Sequence, residues 1–224
     1  MILRFIIFFF SFLPFTVLAQ WSMVPTLTVG FPVGEFSRNN NNIGVGLDLS
    51  LLRELRERPI SLGVQVAYIT FGRQQSNASS IETVLGNAVN ADLTINHNIA
   101  YFHGMIRFKP SWASRVIPFA DVITGAKTIL TFASVSDSQG SDSLNVNSSF
   151  NSSWAFDLGA AGGIEVKLND NLYFNLKGTF LSGTSIDFIN PRAARVNESN
   201  DLLFERKKIN GNLLMFHAGL RIFF

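Results

Sequence analysis

Cysteine is missing from all 224 residues. Its absence removes disulfides, thiol nucleophiles and thiolate metal sites together, and it excludes a lipid-anchored cysteine behind a leader peptide. Histidine is scarce: His97, His103 and His217 are widely separated and form no recognisable ligand spacing, so no metal and no cofactor is expected. The glycines fall inside alternating segments and open no helix, which leaves no phosphate-cradling loop. An excess of one charge is also lacking. The 18 Lys and Arg against 16 Asp and Glu give a formal charge of +2, with no basic field to draw nucleic acid. Beyond residue 20 no apolar run reaches the ~20 residues that a spanning helix needs.

The N-terminus is different in kind. Met1–Arg4 is short and positive, Phe5–Leu18 is apolar but broken by Ser11 and Pro14, and Val17-Leu18-Ala19 offers the small residues that a signal peptidase requires. Residues 1–19 are expected to be a signal peptide, with Gln20 the first mature residue. A retained anchor is the alternative, and Pro14 and the shortness of the run argue against it. Residues 20–224 are then one domain, with the formal charge lowered to +1 by loss of Arg4.

What that domain does have is alternation. From Leu213 to Phe224, Leu214, Phe216, Ala218, Leu220, Ile222 and Phe224 share one face, while His217, Gly219 and Arg221 share the other. Seven earlier segments repeat this period, beginning near Thr26, Ile43, Ile60, Ala100, Asp121, Trp154 and Leu172, and no helical period competes. Eight such segments predict an all-β fold, an eight-stranded antiparallel up-and-down transmembrane β-barrel. Short connections at Arg53–Pro59, Pro110–Val116 and Asn169–Asn171 alternate with Asn- and Ser-rich stretches expected to be long loops: Arg73–Leu93, Ala133–Ser152 and Asn190–Asn210; the polar turn Ser37–Asn42 is the short exception. Short turns on one rim and long loops on the other suit an outer-membrane barrel, with the short turns periplasmic.

Alternation alone also fits a soluble barrel with an apolar inside. Two features favour the reverse. Most strand glycines sit on the polar face, where an eight-stranded barrel has least room. The apolar face carries almost no charge, as hydrocarbon demands. The polar face then becomes a lumen holding Asp48, Asp121, Asp157, Glu165 and Asp187 against Arg107, Lys109, Lys127, Lys177 and Arg221. Buried charges must pair, so a closed, salt-bridged lumen is expected, with a polar pathway for a small solute as the alternative. Trp112 and Trp154 are placed at opposite rims, and Tyr173 is expected to point inward.

The terminal spacing His217-x-Gly219-x-x-Ile222-x-Phe224 resembles the insertion signal of bacterial outer-membrane barrels. Gly30-Phe31-Pro32-Val33-Gly34-Glu35-Phe36, followed by Gly44-Val45-Gly46-Leu47, resembles the opening hairpin of the small outer-membrane β-barrel domain family, which includes PorT-like and OmpX-like proteins. Pro59-Ile60-Ser61-Leu62-Gly63 with Phe71-Gly72 is similar to its third strand. The resemblance implies delivery by periplasmic chaperones, insertion by the barrel-assembly machinery, and lasting contact with outer-membrane lipid and lipopolysaccharide. Roles within that family are diverse, so membership implies no single task.

Three sites remain to be weighed. An enzyme acting on lipid A would need a nucleophile and a positioned base. His97, with Asp92 and Ser79–Ser80 upstream, is the candidate, but Asn98 and Ile99 follow it where lipid A deacylase barrels have His-x-Ser. No catalytic residue is therefore assigned. Arg206, Lys207 and Lys208 could meet lipopolysaccharide phosphates. The Arg53-Glu54-Leu55-Arg56-Glu57-Arg58 run reads as a solvated turn, with docking of a periplasmic protein as the alternative. The expected function is a non-enzymatic integral outer-membrane protein whose long loops serve surface contact or envelope stability; the alternative is a barrel subunit of a secretion or assembly machine.

Overall fold

The computed structural model describes residues 20–39, 42–55, 59–82, 88–110, 114–137, 149–196 and 202–224, with the backbone alone for 39, 73–82, 88–95, 133–137, 149–151, 187–196 and 202–207. Eight strands close a barrel: β1 (Trp21–Pro32), β2 (Gly44–Glu54), β3 (Ile60–Glu82), β4 (Ala88–Phe108), β5 (Val116–Asp137), β6 (Ser149–Lys167), β7 (Leu172–Gly183) and β10 (Leu213–Phe223). Neighbours in sequence pair antiparallel, and β10 closes the ring between β7 and β1. This is the predicted eight-stranded fold. A short helix, α1 (Glu35–Asn39), joins β1 to β2 where a plain polar turn was expected.

Side-chain alternation sets the two faces. Along β1, Ser22, Val24, Thr26 and Thr28 are buried, whereas Leu27 is 63 % exposed. Phe102, Phe156 and Phe216 likewise point outward. Arg107, Asp121, Asp157, Glu165 and Arg221 point inward and are at most 1 % exposed. The apolar side is the outside, the inverse of a soluble barrel.

The predicted long loops are corrected. The β3–β4 ladder runs on to Glu82↔Ala88 and the β4–β5 ladder to Ala91↔Asp137, so most of Arg73–Leu93 is strand. β5 continues to Asp137 and β6 begins at Ser149. By contrast β2 leaves β3 at Val45↔Thr70, and β7 leaves β6 at Asp157↔Gly183, so β3 to β6 project beyond the barrel as one sheet. Where β3 leaves the rim, Gly72 takes φ +73° and the register shifts between Thr70 and Arg73. Glycine adopts that left-handed conformation without a Cβ penalty, and the bulge bends the strand.

Asn190–Asn210 is also largely strand. β8 (Ser185–Val196) and β9 (Leu202–Asn210) form a separate two-stranded sheet between β7 and β10. Its inner side brings Ile186 and Ile209 against the barrel mouth, where Phe36 of α1 lies edge-on to Phe71 at 5.9 Å between centroids. The Asn210 amide donates to Glu35 Oε2 at 3.1 Å, tying this hairpin to α1. The mouth far from the chain termini is thus filled with hydrocarbon.

Candidate functional site

The barrel interior collects most of the chemistry-bearing side chains. Near the chain termini, parity puts Arg107, Asp121, Glu165 and Arg221 on the inner wall of four strands. Arg107 grips Asp121 with two parallel bonds, Nε–Oδ1 and Nη2–Oδ2, both 2.8 Å, and reaches Glu165 Oε1 with Nη1 at 2.7 Å. Arg221 Nη1 donates to both Glu165 oxygens at 2.8 Å, while its Nε donates to Ser22 Oγ at 2.9 Å. Its Nη2 extends to Glu54 at 2.9 Å, and Glu54 also accepts from Lys109 at the barrel opening. Such planar forks suit carboxylates because two donors and two acceptors align. Phe119 lies 3.7 Å beneath the Arg107 guanidinium and Phe223 4.5 Å from that of Arg221, adding a π face to each cation.

Higher in the barrel, Asp48 is the acceptor for three groups. Tyr101 Oη and Gln65 Nε2 donate to its Oδ2, and Ser50 Oγ to its Oδ1 at 3.3 Å. Tyr101 stacks on His103 at 4.4 Å, and His103 Nε2 reaches Asp157 Oδ2 at 3.1 Å. Lys127 pairs with Asp157 Oδ1 at 2.7 Å and donates to the Gly211 carbonyl, which joins the interior to the link between β9 and β10. His217 sits between two hydroxyls, with Nδ1 2.8 Å from Thr28 Oγ1 and Nε2 3.1 Å from Thr179 Oγ1. Lys177 is buried within electrostatic reach of Asp48 and Asp121.

Of the ten residues assigned to the lumen, Asp48, Arg107, Asp121, Lys127, Asp157, Glu165, Lys177 and Arg221 are buried inside. Lys109 lies at the opening, its side chain 20 % exposed. Asp187 belongs to β8, outside the barrel wall, and pairs by backbone with Lys208; its side chain falls outside the described residues. Within Arg53–Arg58, read as a solvated turn, Glu54 departs from the expectation: it ends β2 and bonds Arg221, while Arg56, Glu57 and Arg58 fall outside the described residues. Its even-numbered parity with Asp48, Ser50 and Leu52 carries that signal.

The other assigned residues scatter. His97 is buried, with Nδ1 3.0 Å from Thr131 Oγ1. Ala78 pairs with Ala91, so Ser79–Ser80 lie beyond that point and roughly 20 Å along the ladder from His97 at ~3.3 Å per residue. Histidine and serines are not brought together. Arg206, Lys207 and Lys208 lie on β9 rather than in a loop; Lys208 is exposed, and the side chains of the other two fall outside the described residues. Trp154 is exposed on the outer wall, Trp112 falls outside the described residues, and Tyr173 keeps its inward register with its ring 5.3 Å from Phe223. Of the terminal spacing, His217 and Gly219 face inward, while Ile222 and Phe224 face outward.

No family model matches the chain. No curated protein matches it either. Solved structures do. A major outer membrane protein from Thermus thermophilus is similar with a TM-score of 0.52 and 12 % identity, over 92 % of this chain and 99 % of that one. Neisserial surface protein A gives 0.47 and 13 %, over 92 % and 97 %. The attachment invasion locus protein Ail of Yersinia pestis, solved with the heparin analogue sucrose octasulfate, gives 0.44 and 11 %, over 92 % and 97 %. At such identities the likeness, carried by the first of these, is one of fold: a closed, all-antiparallel β-barrel.

Proposed function

We propose that this chain is an integral outer-membrane β-barrel of a Gram-negative-type envelope, related to the small PorT-like and OmpX-like barrels, and that it works without catalysis. One observation carries the reading: burial is inverted. Leu27, Leu47, Phe102, Trp154, Phe156 and Leu158 face outward, while four acids and four bases are buried inside. In water such an outer wall would be an aggregation surface. In a bilayer it is the required one, since Arg or Lys on the lipid face costs ~2–4 kcal/mol at the midplane.

The interior acts as a closed plug rather than a solute path, because Arg107, Arg221 and Lys127 are tied across it to Asp121, Glu165 and Asp157, and Asp48 is held by Tyr101, Gln65 and Ser50. The strands β3 to β6 that project past the rim provide a surface platform for contact outside the membrane or for envelope stability. Thr28, Ser50 and His217 are all within 2 % exposure, out of reach of a substrate, which supports a non-enzymatic role. Fractionation of cells expressing the chain should place it in outer membranes, and unheated electrophoresis should show a compact form that heating abolishes. Recovery in the soluble fraction would end this reading. Unaltered lipid A upon overexpression is expected; an alteration abolished by His97→Ala would overturn the non-enzymatic assignment.

A further inference from the structure

The seam between the first and last strands contains a break in the barrel wall. Pro25 has no amide hydrogen to give β10, and the β1–β10 register passes from Met23↔Ile222 to Thr26↔Gly219 around it. A side chain at Gly219 would begin 2.1 Å from the Pro25 carbonyl oxygen, as one at Gly46 would from that of Tyr68. On the outer surface this leaves Pro25 and Ala218 low between Leu27, Leu47, Leu49, Val66, Tyr68 and Leu220. They frame an open apolar groove of about 680 Å³.

Each strand leads from the groove to the terminus-end rim. Below Pro25 lie Met23 and Trp21, below Leu49 lie Leu51 and Arg53, and below Leu220 lie Ile222 and Phe224. Trp21 and Arg53 are register partners, and the guanidinium stands 5.7 Å from the indole centroid. From Leu49 to Arg53 the strand descends ~13 Å along its length at ~3.3 Å per residue. Half of a ~30 Å hydrocarbon core is ~15 Å. With strands tilted ~35–45° the projection on the normal is ~10 Å, so the groove lies within one acyl-chain length of the cation.

We propose that this seam binds one phospholipid, with an acyl chain laid into the Pro25–Ala218 groove and its phosphate at Arg53. The proposal rests on the membrane reading above. It selects phospholipid over the phosphates of lipid A because Arg53 lies at the short-turn rim, the periplasmic side in that reading. Arginine recognises phosphate through paired donors, and the indole beside it holds an interfacial position. A second outer-wall groove of about 490 Å³, sharing Leu27 and Ala218, adjoins it; the cation and indole at the rim below Pro25 are what assign the lipid to this seam.

The test uses the full chain in vesicles and then in neutral detergent. Urea washing of vesicles comes first: wild type, Ala218→Phe, Arg53→Gln and the control Ala160→Phe, on the outer face of β6, should all remain membrane-embedded. Native mass spectrometry with added dioleoyl phosphatidylglycerol should then show one retained lipid on wild type and on Ala160→Phe. Filling the groove or removing the cation should lower that occupancy about tenfold, as loss of a charge-assisted contact does. Embedded variants with unchanged occupancy would overturn the lipid site alone. Preferential retention of lipid A in competition would overturn the choice of lipid, and release of wild type by urea would overturn site and membrane reading together.

Discussion

At the terminus end, Arg107, Asp121, Glu165 and Arg221 fill the barrel with charge, and all four stand on barrel strands. At the opposite mouth, Phe36, Ile186 and Ile209 fill it with hydrocarbon, and they stand on α1, β8 and β9, outside the ring. The two closures depend on different physics. A buried ion layer is directional: each member is tolerable only while its partners neutralise it, so one deletion strands the rest. An apolar cap is graded, losing the transfer energy of the removed atoms and the cavity they leave. The first is therefore part of the barrel's own stability, while the second behaves as a separable cover.

Mutations can break that contrast. Glu165→Gln removes the acid shared by Arg107 and Arg221 and should cost ~3–5 kcal/mol of global stability. The measurement is the urea midpoint of the whole barrel; a shift confined to one strand pair would contradict the shared-layer view. Ile209→Ala should cost less, ~2–3 kcal/mol, and the loss should be local. Amide exchange should quicken in β8 and β9 while β5 and β6 stay protected. Deleting Phe224 should lower outer-membrane levels by impairing insertion; normal levels would show that the terminal residue is dispensable.

The smallest effect is expected at the exposed Lys167–Asp170 pair, 2.7 Å apart in the turn between β6 and β7. The hydrogen bond from Lys167, then its charge, holds the Asp170 carboxyl below its ordinary value of 3.8. A depressed carboxylate stabilises the fold above the unfolded value and loses that contribution as pH falls through the folded one. Exposure and salt screen it, so Asp170→Asn should leave the unfolding midpoint unchanged at neutral pH. A clear loss there would mean that the turn, and not the ion layer, anchors this end.

The same division explains what could be read in advance. Barrel strands show period two because one face points outward and is apolar while the other is buried in the lumen, so Leu214, Phe216 and Leu220 separate cleanly from His217 and Arg221 in the sequence. Parity also carries Asp48, Arg107 and Glu165 inward. Past the rim, Arg73–Ser80 is polar almost throughout, so no period marks it as strand, although Val89, Ala91, Leu93 and Ile95 still alternate with Asn90, Asp92 and Thr94; the Asn- and Ser-rich composition makes Arg73–Leu93 look like a loop. Glu54 hides in a run of alternating charges that resembles a solvated turn. Phe36, Ile186 and Ile209 come together only through the folding of α1, β8 and β9 across the mouth, a long-range arrangement that no local period records. The partners of each interior charge are equally non-local: Arg221 meets Glu165 across 56 positions in sequence.

Closure at both ends is the central claim, and planar-bilayer recording addresses it directly. Purified wild-type barrel should give no stable conductance, because the ion layer and the apolar cap each block the lumen. Reproducible single-channel steps from the wild-type protein would contradict the account.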